Sequence, residues 1–119
     1  MTILNVMPEL MVADFDAGVA WYQTFFGRAP DRRPMDGLVE WQLAGGGGVQ
    51  VFHSADSAGI SNIAIAVDDV DAQVAGLVDR GITTEVFEAP SGQFRLATIQ
   101  DPAGNTIRFA QELGDVNAT

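Results

Sequence analysis

The sequence predicts an α+β fold assembled from two similar halves, and three observations carry that prediction. Residues 12–20 and 67–75 are identical at six of nine positions, at an offset of 55 that is about half the chain. Each copy follows an extended, alternating segment and opens a helical pattern. Further strand-like segments follow each predicted helix. Each half is therefore predicted to run strand, helix and then about three strands.

The first half is predicted to contain one helix between Asp14 and Gly27. Asp14 suits the N-cap, apolar side chains recur every three or four residues, and Gly27 suits the stop. Strand-like segments lie on both sides of this helix in the chain. They are predicted over residues 3–12, 29–33, 38–43 and 49–53.

The second half repeats this plan. Asp69 suits the N-cap of a second helix, which Gly81 ends, and residues 101–105 read as a tight turn because they combine proline and glycine. Residues 54–60 read as the linker between the halves, and residues 112–119 have the composition of a tail. The strands of this half are predicted over residues 61–67, 82–87, 94–100 and 105–111.

Composition excludes several kinds of site. The 119 residues include no cysteine, no lysine and a single histidine, His53. Disulfides, thiolate sites, Schiff-base lysines and a two-histidine metal site within one chain are therefore excluded. The net charge of −10 argues against partners that are nucleic acids or anionic membranes. The chain starts without a basic signal-peptide region and has no apolar run near ~20 residues, so we expect a soluble, cytoplasmic protein.

Between residues 3 and 111 the chain resembles the vicinal oxygen chelate superfamily, which includes glyoxalase I, bleomycin-resistance proteins and extradiol dioxygenases. The residues that carry the resemblance are the stretch 12–27, its echo at 67–75 and the turn at 101–105. It implies the glyoxalase/bleomycin-resistance fold, in which two βαβββ modules form curled mixed sheets around a cavity. The modules would span about 3–53 and 61–111 of a single domain, usually within a homodimer.

The resemblance also implies four positions at which the metalloenzymes of the superfamily place histidine or glutamate ligands. In this sequence the four positions are Met7, Gln50, Asn62 and Arg108. A thioether and two neutral amides are poor ligands for a hard or borderline divalent ion, and a guanidinium repels one. We therefore expect no metal ion and no other cofactor. The metal-dependent reactions of the superfamily are correspondingly disfavoured.

The alternation of the strands independently predicts one sheet face of mixed character. That face would carry Met7, Glu9, Met11, Glu40, Gln42, Gln50, Phe52, Asn62, Ala64, Thr106, Arg108 and Ala110. Such a mixture suits an amphipathic organic ligand; the alternative is a narrow cavity that these side chains and water fill. The predicted ligand-binding residues are Met7, Glu9, Glu40, Gln50, Phe52, Asn62 and Arg108.

Individual residues leave alternatives open. Glu9 could hold a cationic group of a ligand and Arg108 a carboxylate, or the two could pair with each other, since a buried charge needs a partner. His53 shares its parity with core positions at a strand end and is predicted to lie on the surface. Trp41 is predicted to lie in the core. Arg32 and Arg33 are predicted to lie on the solvated surface, with an anion clamp as the alternative.

These observations favour a metal-free small-molecule binding protein, similar to bleomycin-resistance proteins, that sequesters a cationic or amphipathic aromatic compound. The alternative is a glyoxalase-family enzyme of lyase, isomerase or dioxygenase type with non-standard active-site residues. Glu9, Glu40 and His53 would then be its acid–base groups. A third possibility is a small-ligand sensor or accessory subunit without turnover.

Overall fold

The structure is a computed structural model that describes residues 1–114, with the side chain of Ala44 excepted. The chain forms two compact units, one of Met1–Ser61 with Gln100–Asn105, the other of Asn62–Ile99 with the described residues from Thr106 onward. Each unit contains one α-helix and one open four-stranded mixed sheet, which confirms the predicted α+β fold. The end of the predicted tail, residues 115–119, lies outside the described residues.

Each unit repeats the same order of elements. The first contains β1 (Glu9–Val12), α1 (Phe15–Phe26), β2 (Arg32–Met35), β3 (Leu38–Gln42) and β4 (Gly48–His53). The second contains β5 (Asn62–Ala66), α2 (Val70–Asp79), β6 (Val86–Glu88), β7 (Phe94–Gln100) and β8 (Thr106–Glu112). The sheet orders are β1-β4-β3-β2 and β5-β8-β7-β6, with β1 parallel to β4 and β5 parallel to β8. Neither helix of the described chain is long and apolar enough to cross a membrane.

Both helices begin where the sequence predicts. The Asp14 carboxylate accepts a hydrogen bond from the Ala17 backbone N–H (3.1 Å), and Asp69 accepts one from Ala72 (3.1 Å). The first helix ends at Gly27, whose φ of 75° lies in the left-handed region and whose N–H donates to the Gln23 carbonyl. The second ends at Asp79, two residues before the predicted stop at Gly81.

The predicted strand over residues 3–12 is wrong in extent. The observed strand begins only at Glu9, and before it a single isolated bridge joins Val6 to Gly47. Pro8 separates the two because it has no backbone N–H to donate to a ladder. The apolar side chains that precede Pro8 are left exposed, among them Ile3, Leu4 and Val6.

Two further strands differ from prediction. The strand predicted at 29–33 lies at Arg32–Met35, where it pairs with β3 across the two-residue turn Asp36–Gly37. Asp-Gly is a strong hairpin signal, and Gly37 takes a left-handed φ of 79° in this turn, which glycine adopts without strain. The strand predicted over 82–87 is confined to Val86–Glu88, because the Thr84 hydroxyl donates to the Thr98 carbonyl (2.9 Å) in place of a backbone ladder.

The core of each unit lies between its helix and one face of its sheet. In the first unit the buried apolar side chains are Leu10, Val12, Val19, Tyr22, Phe25, Val39, Trp41, Val49 and Val51. In the second they are Val70, Leu77, Ala97, Ile99, Ile107 and Phe109. The prediction that Trp41 is a core residue is confirmed, and its indole N–H donates to the Arg28 carbonyl (3.0 Å). The candidate binding residues lie on the other sheet faces.

A buried polar network joins the turn at 101–105 to the first unit. The Tyr22 hydroxyl donates to Asp101 Oδ2 (2.6 Å), and Asn105 Nδ2 donates both to Asp101 Oδ2 (2.8 Å) and to the Met11 carbonyl (2.7 Å). Asn105 Oδ1 accepts from the Ser61 backbone N–H (3.0 Å). Through Met11, this network fixes the strand that carries Glu9.

Tyr22 should ionise only when the protein unfolds. Burial, reinforced by the hydrogen bond to Asp101 and its negative charge, raises the pKa of Tyr22 far above its ordinary value of about 10. The phenol therefore ionises at a lower pH in the unfolded chain than in the folded protein. Its contribution to the free energy of unfolding is complete below about pH 10 and declines above it, by up to about 1.4 kcal/mol per pH unit. Tyr22 is the only tyrosine, so absorbance at 295 nm should rise together with the loss of circular dichroism.

Tyr22→Phe is the control for this titration. It should remove the part of the alkaline destabilisation that depends on the phenol. A tyrosinate signal that appears near pH 10 in a protein still folded by circular dichroism would contradict the network.

Candidate functional site

A row of four polar side chains crosses the open face of the first sheet. The strand register aligns Glu9 with Gln50, Gln50 with Glu40, and Glu40 with Arg32, so that each strand contributes one member. We call these four residues the polar row. Gln50 Nε2 donates to Glu40 Oε1 (2.9 Å), and Arg32 Nη1 lies 3.3 Å from Glu40 Oε2. Three of the four residues are therefore linked to one another.

Apolar side chains flank the polar row on both sides. In the next row of the same sheet face, the register aligns Met11, Phe52, Leu38 and Met35. On the other side, the Met7 methyl group lies directly over Gly48, where even a Cβ atom would meet it at 2.7 Å. The face thus carries a narrow polar strip. The Met7 thioether lies on one side of it, and a row of aromatic and aliphatic side chains lies on the other.

The two carboxylates of the polar row differ in environment. The side chain of Glu40 is only 5% exposed and has both the Arg32 guanidinium and the Gln50 amide as partners. Glu9 is exposed and makes no ion pair or hydrogen bond with the described residues of its unit. Its charge is therefore the uncompensated one on this face, and a cationic group can approach it without displacing a protein partner.

The structure brings five of the seven predicted residues onto this one face. They are Met7, Glu9, Glu40, Gln50 and Phe52. The other two, Asn62 and Arg108, lie in the second unit on the sheet face that also carries Ala64 and Ala110. Arg108 is exposed there. The predicted pairing of Glu9 with Arg108 stays a prediction, as does the role of each of the seven in binding.

Arg32 is the residue of this face that sequence reasoning missed. It was expected on the solvated surface, and its side chain is indeed 62% exposed, but its guanidinium neutralises Glu40. The Asp36–Gly37 turn signals the pairing of β2 with β3, and an irregularity in the register between Arg32 and Met35 then sets Arg32 opposite Glu40. His53 is exposed, as predicted, and leaves the sheet on the side opposite to its neighbour Phe52.

The donor atoms available do not fit a divalent metal ion. Met7 offers a thioether, and Gln50 has its amide nitrogen turned to Glu40, which leaves one neutral oxygen. In the second unit the corresponding positions offer the Asn62 amide and the Arg108 guanidinium, which repels cations. In the part of the chain that the structure describes, no three histidine, aspartate or glutamate side chains are grouped so that they could hold a metal. We therefore derive no chemistry through a metal.

A comparison with protein-family models identifies the family. Residues 3–109 match the model described as the Glyoxalase/Bleomycin resistance protein/Dioxygenase superfamily. The chain belongs to this superfamily. The match spans both units, and it confirms the resemblance that the repeated stretches and the turn at 101–105 indicate. A comparison with curated proteins found no match for this member of the Glyoxalase/Bleomycin resistance protein/Dioxygenase superfamily.

Solved structures of other superfamily members share the fold. A glyoxalase/bleomycin resistance protein from Catenulispora acidiphila is 30% identical with a TM-score of 0.84, over 92% of this chain and 98% of that one. The bleomycin-binding protein of bleomycin-producing Streptomyces verticillus, complexed with copper(II)-bleomycin, is 22% identical with a TM-score of 0.74, over 93% and 98%. A bleomycin-binding protein complexed with bleomycin is 20% identical with a TM-score of 0.74, over 90% and 97%.

Proposed function

We propose that this protein binds and sequesters a cationic or amphipathic aromatic small molecule, without a metal ion and without turnover. The observation that carries the proposal is the uncompensated Glu9 carboxylate at the end of the polar row, with apolar side chains on either side. Thioether and aromatic groups such as Met11 and Phe52 bury rings. Glu9 is exposed in the free protein, and a bound aromatic group that covers it would partly desolvate its carboxylate and strengthen its hold on a cation.

Three further observations support this proposal. The net charge of −10 speeds the approach of a cation. Two bleomycin-binding proteins share the fold, and each was solved with its drug bound. Met7 and Gln50 stand at positions where a metalloenzyme would need ligands for a divalent ion, and their side chains do not supply them. We extend the proposal to an antibiotic-resistance-like role in the cytoplasm.

Replacing Glu9 by glutamine tests the proposal, because it keeps the shape of the side chain and removes its charge. We expect 2-naphthylmethylammonium to bind the wild type better than the anion 2-naphthylacetate, and to lose about ten- to a hundredfold in affinity in Glu9→Gln. Isothermal titration calorimetry in the presence of EDTA measures both affinities. Added salt should weaken the binding of the cation in the wild type.

Glu85→Gln is the matched control, since Glu85 is exposed and is part of no strand of the first sheet. It removes the same charge from the net total and should leave the affinity unchanged. If the anion binds better, or if Glu9→Gln and Glu85→Gln behave alike, the proposed site is wrong. Conversion of any bound probe, or binding that EDTA abolishes, would favour the enzyme alternative.

We also propose that the protein is a homodimer. The sheet of each unit has two open edges, and the exposed side chains of Ile3, Leu4 and Val6 give the segment before Pro8 an apolar surface that a second copy can cover. Light scattering at micromolar concentration should give twice the mass of one chain, and Leu4→Asp should shift the mass toward the monomer. A monomer mass for the wild type would contradict this proposal.

A further inference from the structure

The orientation of the Gln50 amide determines what kind of cation the polar row can recognise. A glutamine side chain has one donor group, its NH₂, and one acceptor, its carbonyl oxygen, whereas an ionised carboxylate only accepts. Glu40 therefore has to face the nitrogen of Gln50, and the Nε2–Oε1 distance of 2.9 Å shows that it does. The carbonyl oxygen Oε1 is consequently turned away from Glu40.

This orientation is fixed by a second contact further along the row. Arg32 holds the other oxygen of Glu40, Oε2, at 3.3 Å, and the Glu40 side chain is 5% exposed. Rotation of the Gln50 amide by 180° would place its oxygen against a buried carboxylate and leave Glu40 Oε1 without a donor, which is unfavourable. Glu40 and Arg32 thus act as positioning residues for Gln50.

Two acceptors without protein donors then stand side by side. Among the described residues, nothing donates to Gln50 Oε1, and Glu9 has no partner within its unit. Glu9 and Gln50 are register partners on adjacent parallel strands, which lie about 4.8 Å apart. The two side chains therefore start from neighbouring positions, and one nitrogen with two N–H bonds can donate to an oxygen of each, since two N–H···O bonds of about 2.9 Å together span a similar distance.

We propose that Glu9 and Gln50 together select cations that carry N–H bonds, such as primary ammonium, amidinium or guanidinium groups, over quaternary ammonium groups of the same charge. This inference rests on the proposed function and names the chemistry of its ligand. A quaternary ammonium satisfies the charge of Glu9 but leaves Gln50 Oε1 without a donor. An N–H cation satisfies both, and charge-assisted hydrogen bonds are the stronger kind.

The same two side chains supply too few oxygens for a hard metal ion. Calcium takes six to eight oxygen ligands, and magnesium requires six in near-octahedral geometry. Glu9 and Gln50 offer one carboxylate and one amide oxygen, and Glu40 is already engaged by Arg32. The neighbouring side chains of Met7, Met11 and Phe52 add no oxygen. An organic N–H cation with an attached ring matches both the polar strip and the apolar rows beside it.

Two probes that differ only at nitrogen test the inference: 2-naphthylmethylammonium and its N,N,N-trimethyl derivative. Calorimetry on the intact wild-type protein should give the primary ammonium at least about tenfold higher affinity. In Gln50→Met, which keeps the length of the side chain and removes the amide, we expect this ratio to fall to about two- to threefold, because Glu9 still accepts from the ammonium.

Gln42→Met is the matched control, since Gln42 lies on the same face opposite Gly48 and its side chain is not part of the polar row. Its ratio should stay at the wild-type value. Equal affinities of the two probes for the wild type, or a ratio that Gln50→Met leaves unchanged, would overturn the inference while the proposed function stands. Failure of both cations to bind the folded wild type would instead overturn the proposed function. The comparison of the two probes on the wild-type protein tests the inference even if a variant fails to fold.

Discussion

Replacing Asn105 by alanine should lower the free energy of unfolding by about 3–5 kcal/mol, because it removes three hydrogen bonds from a side chain that is 0% exposed. The change leaves the Met11 carbonyl and the Ser61 N–H without their partner, and it removes one of the two donors to Asp101 Oδ2, which keeps the Tyr22 hydroxyl. A domain of this size has a total stability of about 5–15 kcal/mol, so much of it should be lost. Urea denaturation followed by tryptophan fluorescence measures the difference.

Tyr22→Phe provides the graded comparison for this prediction. It removes one hydrogen bond of the same network, from the hydroxyl to Asp101, and keeps the ring in the core. We expect a loss of about 1–2 kcal/mol. A loss for Asn105→Ala no larger than that for Tyr22→Phe would mean that the network does not anchor the turn to the first unit.

Replacing Gly59 by alanine should cost about 3 kcal/mol, from two causes that act together. The φ of Gly59 is +84°, where an L side chain is strained, and a Cβ atom there would collide with the backbone carbonyl of Ala103. Because the obstacle is backbone, no side-chain rotation relieves it. Thermal or urea unfolding of the variant measures the loss.

Gly45→Ala separates the two causes. Gly45 belongs to the same unit and has nearly the same φ, +83°, but nothing lies within 4 Å of the position a Cβ atom would take. It should therefore show the backbone strain alone, about 1 kcal/mol. If Gly59→Ala costs no more than Gly45→Ala, the segment before Ser61 is not packed against the turn as the structure has it.

Local features were predictable from the sequence because their causes lie within a few residues. Asp14 and Asp69 cap helices through bonds to residues three positions away. Strand alternation likewise placed Glu9 and Met11 on the face opposite Leu10 and Val12. The strand that ends at Val12 was predicted too long, because an alternating pattern gives no sign that Pro8 lacks a backbone N–H donor.

Pairings between residues that are distant in the chain could not be predicted from the sequence. The bond from Tyr22 to Asp101 spans 79 residues, and nothing in a helical apolar pattern indicates that a tyrosine hydroxyl in it has a buried acceptor. The ion pair between Arg32 and Glu40 was likewise not predictable, because the two residues become neighbours only when β2 is set in register with β3. The composition of the candidate face was therefore predictable, whereas the identity of its one uncompensated charge required the hydrogen bonds.

The turn at 101–105 has a consequence for how the chain reaches its native state. It completes the first unit, although it is made from residues that follow most of the second unit in the sequence. During synthesis, Tyr22 and Met11 are made before their hydrogen-bond partners, which follow 79 and 94 residues later in the chain. Contacts of such high sequence separation slow folding, since a long loop must close before they form. Despite the internal repeat, a gene split after Ser61 would separate the N-terminal half from its buried anchor.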